Sequence, residues 1–219
     1  MTPDLLLSLS GFALISAITP GPNNIMLMAS GVNYGWRRSQ GHICGVIFGF
    51  PLMVIGVGLG LDQLFVRYSL LPHALTVVSA AYLTYLAYRI ATSKPDGSLS
   101  EAEGSSLNNA EGLLAVKPSL STRPLSFWEA AAFQWLNPKA WVMALVVLSL
   151  YVPTEMRLSG VLIAATTYVF AGIVSTNTWV ILGSRIKRYL RREKIRVWFN
   201  YLCAMLLLIT LVPVLNGLG

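Results

Sequence analysis

Charge is scarce in this sequence: 11% of its 219 residues are Asp, Glu, Lys or Arg, where soluble domains carry about 25%. That deficit excludes an apolar core wrapped in a charged surface, as does a mean hydropathy of +0.63. Cysteine is nearly absent too. Cys44 and Cys203 are far apart, each inside an apolar run, and no CxxC or Cys/His cluster exists, so neither a disulfide framework nor a metal site is signalled. The two histidines, His42 and His73, fall at predicted helix ends and are expected at the membrane interface. No nucleophile–base pair or metal constellation points to an enzyme, and nothing points to a cofactor.

What is present is apolar sequence in runs of about 20 residues, the length that crosses a hydrocarbon core. Helices are predicted at 5–29, 41–62, 70–91, 127–150, 158–183 and 196–217, which makes an all-α, polytopic membrane protein of six spans. The first run has no Lys or Arg ahead of it and exceeds a signal core, so it reads as a retained span. Ser126-Phe127-Trp128-Glu129 is a capping box that starts the fourth helix and gives Glu129 a structural role.

Basic residues set the expected orientation. Thirteen of the sixteen lie in or beside the connections between helices 1–2, 3–4 and 5–6, which places those connections in the cytoplasm and both termini outside it. The run from Arg185 to Arg196 accounts for most of the net charge of +7, and its position suits anionic lipid headgroups rather than nucleic acid.

The chain divides into a repeat at 1–91, a polar, flexible cytoplasmic linker at 92–125 and a second repeat at 126–219, together one membrane domain. An offset of 118 lays Pro20 on Pro138 and Ser8 on Ser126. Three spans per half, an odd number, force the halves into opposite orientations, an inverted repeat such as many transporters use for alternating access. Gly41, Gly45 and Gly49 form a small-residue stripe for close helix packing, internal or between copies in a homo-oligomer.

Two segments carry the chemistry. In Thr19-Pro20-Gly21-Pro22-Asn23-Asn24, two prolines around a glycine break the first span, a break tolerated in lipid only where it faces protein or a water-filled cavity. In Asn137-Pro138-Lys139, Pro138 breaks the fourth span at a similar depth, and Lys139 is the one ionisable residue near the centre of any span. A charged lysine there costs about 2.5–3.5 kcal/mol and is too short to reach either headgroup layer. It is therefore neutral for part of a cycle, or faces an aqueous cavity, or meets an anion brought by substrate. Half-helices starting after Pro22 and Pro138 would aim their N-termini at the membrane interior, favouring a carboxylate beside Lys139. Asn23, Asn24 and Asn137 can hold an adjacent α-amino group, and Asn177, in the polar stretch of helix 5, is the candidate from that helix.

Through the Thr-Pro-Gly-Pro run with its Asn-Asn pair, the basic turn Gly35-Trp36-Arg37-Arg38, Asn137-Pro138-Lys139 and the six-span layout, nearly the whole chain resembles the LysE/RhtB family of amino-acid exporters. The Asn-Asn pair is most similar to the cysteine/O-acetylserine exporter branch. The resemblance implies a secondary transporter in the bacterial inner membrane that exports amino acids or small derivatives, coupled to protons; Lys139, the one ionisable residue near the centre of a span, is then the expected coupling residue. It also brings two alternatives from the wider superfamily, thiol electron carriers and metal-ion exporters. The first would want cysteines in the broken helices and the second acid- or His-rich segments, and neither is present.

Overall fold

The computed structural model of the protein describes residues 1–63, 67–68, 70–93, 123–190 and 192–212. Most of the polar linker and the end of the sixth predicted helix lie outside the described residues. Among the described residues, eight α-helices run in the order α1 Pro3–Ile18, α2 Pro22–Arg38, α3 Gln40–Gly56, α4 Leu70–Ala91, α5 Phe127–Leu136, α6 Pro138–Tyr151, α7 Arg157–Ile186 and α8 Glu193–Ile209. No strand occurs among the described residues.

Proline explains where two of the predicted helices split. A residue ahead of proline is pushed out of the helical region, and both Thr19 (ψ 135°) and Asn137 (ψ 108°) are extended. Pro22 and Pro138 then open the next helices, where a missing N–H is harmless. The axes bend by 56° between α1 and α2 and by 69° between α5 and α6. α2 continues past the predicted end at 29 through to Arg38, turning at Gly35, whose φ of 79° suits glycine. α3 passes into a π-helical turn at Val57–Leu61.

Among the described residues, three helices are long and apolar enough to span a membrane: Gln40–Leu61, Leu70–Ala91 and Arg157–Ile186. Each bent pair passes as one more, which gives up to five. The described part of α8, 17 residues, falls short of that length. The exterior carries large apolar side chains, and the mostly apolar interior holds several amides. Leu7, Leu70 and Trp198 are at least 75% exposed, while Asn24, Asn33, Gln134, Asn137 and Asn200 are buried. Apolar side chains face lipid, and the interior holds the amides.

The long α7 is the axis on which α1, α2 and α3 pack. Glycines set the closest approaches. The Gly41–Gly45–Gly49 stripe seats α3 on α5: a Cβ at Gly45 would lie 2.6 Å from Ala130 Cβ, and one at Gly49 would lie 2.6 Å from Ala131 Cα. The stripe is an internal contact.

α5 begins with the expected capping box. Glu129 N donates to Ser126 Oγ at 3.3 Å and Ser126 N to Glu129 Oε2 at 2.7 Å. Glu129 also accepts from both ends of the Arg123 guanidinium, at 2.6 and 2.9 Å, and these hydrogen bonds push the Arg123 pKa up. Ser126→Ala should lower stability by about 1 kcal/mol, read as a shift in the unfolding midpoint in detergent, with no change in transport.

His42, at the start of α3 as expected, is also enclosed within the protein: it lies in the first turn of the helix at 1% exposure, covered by α2, α4 and the 123–125 segment. His73 is exposed on α4.

Candidate functional site

The two breaks meet. Freed carbonyls at the end of α1 would be costly in an apolar interior without partners, and those of Ala17, Ile18 and Thr19 find them. Asn24 Nδ2 donates to Ala17 O and to Thr19 O, both at 2.8 Å. From α7, Ser175 Oγ reaches Ala17 O at 2.8 Å and Trp179 Nε1 reaches Ile18 O at 3.1 Å. Lys139, from the second break, places Nζ 2.5 Å from Thr19 O. Asn24 is thus structural in this arrangement, a tether that holds the break in one shape.

At the second break, Trp141 Nε1 donates to Trp135 O at 2.9 Å, and Asn137 Oδ1 caps the Lys139 N–H at 3.1 Å. The helix starts therefore differ. The N-terminus of α6 is closed by its own asparagine, whereas α2 starts at Gly21 with no side-chain cap. Of the two N-termini expected to face an anion, that of α2 is the open one.

Between the breaks, Asn23 and Gln134 exchange amide hydrogen bonds, at 2.8 Å from Asn23 to Gln134 and 3.3 Å in return. Gln134 is 1% exposed and also donates to Ala130 O at 2.8 Å. Sequence reasoning missed it. A single glutamine in an apolar helix carried a signal, since such a side chain needs a polar partner, but the partner lies 111 residues away.

These groups line a cavity of about 60 Å³ with Ser16, Ser175 and Thr176. It brings together Gly21, Asn23, Asn24, Asn137 and Lys139 of the expected site. Pro20, Pro22 and Pro138 shape the breaks without lining it. Asn177 lies elsewhere, accepting from Trp36 Nε1 at 2.8 Å and donating to Ile173 O. Lys139 is the only charged side chain among the described residues of the lining. Its position depends on Gly21: a Cβ there would stand 2.8 Å from Lys139 Cδ and 3.3 Å from Nζ.

Both cysteines are free and sit in α3 and α8, away from the breaks. No carboxylate, thiol or imidazole accompanies the lysine in the cavity, so the site has groups to bind and orient an anion but no nucleophile–base pair.

Two broken membrane helices enclosing a small cavity with one cation are an arrangement suited to moving a small solute across a membrane. The chain belongs to the LysE type translocator family, whose model matches residues 14–214. It is similar to the cysteine/O-acetylserine efflux protein of Escherichia coli O1:K1 / APEC, 31% identical over 196 residues that cover 88% of this chain and 89% of the relative. The proteins of the same description from Escherichia coli strain K12 and Shigella sonnei strain Ss046 are 30% identical over the same shares. No solved structure matches the chain. The protein is accordingly a bacterial membrane transporter and not an enzyme.

Proposed function

We propose that the protein exports small amino acids or their derivatives, of the cysteine and O-acetylserine class, in exchange for protons, and that substrate binds in the cavity between the two breaks. The observation that carries this is Lys139 Nζ resting on the Thr19 carbonyl. An ammonium bonded to a neutral carbonyl gains by exchanging it for a carboxylate, because the carboxylate offers a full opposite charge where the carbonyl offers only a dipole. The uncapped N-terminus of α2 adds a favourable dipole on the same side. The Asn23 and Gln134 carbonyl oxygens, now spent on each other, are placed to accept from an α-ammonium group.

The size of the cavity adds a mechanism. Ligand pockets usually measure roughly 300–1,000 Å³, and 60 Å³ is far below that. Substrate therefore enters only when the half-helices part, which breaks the Asn23–Gln134 pair and lifts Lys139 from Thr19. The substrate replaces the contacts that opening removes, so it favours the open form by its differential affinity. With both termini outside and inverted halves at 1–91 and 126–219, opening alternates between the two membrane faces. Lys139 regains the carbonyl, or gives up its proton, when substrate leaves. Asn177 contributes from outside the cavity, through Trp36, to how α2 sits on α7.

The test is efflux of labelled O-acetylserine and cysteine from loaded cells, with and without the protein. Expression should raise efflux, and no increase for any amino acid would reject the reading. Gly21→Ala should raise the KM for efflux on the order of tenfold, about 1.4 kcal/mol, at unchanged protein level, because the added methyl displaces the lysine.

A further inference from the structure

We propose that His42 is a second proton-exchange residue of the transport cycle, acting at a polar cavity separate from the substrate site; this rests on the export reading above. The cavity, about 40 Å³, is lined by Ser30, Asn33, Tyr34, His42, Arg89 and Arg123 among others. Lys139 and the two breaks take no part in it.

His42 is the anomaly there. Its ring is 1% exposed, yet neither Nδ1 nor Nε2 has a hydrogen-bond partner. An imidazole always carries at least one N–H, and a buried donor without an acceptor is costly. The polar side chains around it are engaged. Asn33 and Asn200 exchange amide bonds at 2.8 and 3.2 Å, and Asn200 also donates to Ser93 O. Ser30 and Ser39 share a hydroxyl contact of 2.7 Å, and the Tyr34 hydroxyl meets Ser93 Oγ at 3.2 Å. A cavity of this size admits a water, and a movement of the surrounding helices that turns a ring nitrogen toward it would give the imidazole both a partner and a proton carrier.

The surroundings give protonation a consequence. The titratable and charged groups around the ring are Tyr34 on α2, Arg89 on α4, Arg123 from the segment before α5, and Glu129 on α5. Glu129 already holds Arg123, and Arg89 stands 3.5 Å from it while donating to Arg123 O at 3.0 Å. Glu129 is the carboxylate that acts on His42 among the described residues. A proton of the inward flow, relayed through the cavity onto a ring nitrogen, creates an imidazolium that competes with Arg89 for Glu129. The α4–α5 contact at this end then weakens, and loss of the proton restores it. Arg37, Arg38, Arg89 and Arg123 cluster at this end, which the excess of positive charge places toward the cytoplasm. Outward transport against an inward proton flow delivers its proton to that side.

The test uses the full-length protein in proteoliposomes with O-acetylserine as probe. Wild type should exchange labelled for unlabelled O-acetylserine at equal pH, and a pH gradient should accelerate net transport. His42→Gln should keep the exchange and lose the acceleration. A merely structural role would depress both together, and that result overturns the proposal, as does acceleration retained in His42→Gln or absent from wild type. Absence of exchange in wild type would instead reject the export reading itself. Should His42→Gln fail to reach the membrane, His73→Gln leaves His42 as the one histidine of the chain. Its isotope-labelled imidazole signal should then change protonation state as the pH is lowered with O-acetylserine present. A signal in one protonation state throughout, with and without O-acetylserine, overturns the proposal equally.

Discussion

Lys139→Ala is expected to abolish export while the protein still inserts and accumulates in the membrane. The ammonium joins the two breaks, contacting Thr19 O from the first turn of α6, and is the cavity's only charge among the described residues. Removing one partner of a buried, hydrogen-bonded charge pair costs about 2–5 kcal/mol, which slows transport at limiting substrate by roughly 30-fold or more. Folding should be spared. Thr19 O keeps its bond from Asn24, so the truncation strands no carbonyl. The Lys139 backbone N–H keeps its cap on Asn137, which no side-chain change removes. Efflux from loaded cells, normalised to protein in the membrane fraction, checks both halves of the expectation. Lys139→Arg should also fail at this site, because the planar guanidinium is bulkier and Gly21 leaves no spare room beside the side chain.

Gly183→Leu is the second large expectation, and it acts on assembly rather than on binding. Gly183 in α7 faces Gly31 in α2 where the two helices run closest. A Cβ at Gly183 would meet the Met28 carbonyl oxygen, with Met28 C at 3.0 Å and Val32 N at 3.1 Å; one at Gly31 would meet Val180 O, with Ser184 N at 3.0 Å. These obstacles are backbone, so no side chain can swing aside. Close approach of this kind is what small residues provide between helices in lipid. Overpacking ordinarily costs about 1–3 kcal/mol, and a collision with backbone belongs at or above the top of that range. The variant should be lost from the membrane or melt well below wild type in detergent. Gly11→Leu is the matched control, because nothing lies within 4 Å of a Cβ at Gly11 and it should behave as wild type.

The two cases mark what was legible in the sequence. Proline, lysine and the capping box act locally, so the breaks at Thr19 and Asn137, the start of α5 and the placement of Lys139 at a break follow from neighbouring residues. The glycine stripe of α3 announced a close packing face but not its partner, α5. Pairings over distance were not legible. Gln134 gains its place from Asn23, and Asn33 from Asn200, 167 residues away. Asn177 looked like the best polar group of its helix, yet Trp36 holds it outside the cavity. His42 sits at a helix end as expected, and only the packing of α2, α4 and the 123–125 segment over it makes it buried. The end of the first predicted helix also fell short, since α2 runs on to Arg38 with Asn33 in the interior facing Asn200.

The central claim is that the carboxylate of the substrate sits on Lys139 between the two breaks. The most direct measurement is binding of O-acetylserine and of its carboxamide analogue to purified wild type and Lys139→Met. Wild type should prefer the carboxylate by about tenfold or more, and the variant should bind both equally, a coupling of at least about 1.4 kcal/mol. A variant that still prefers the carboxylate as strongly as wild type would contradict the account and place the anion elsewhere.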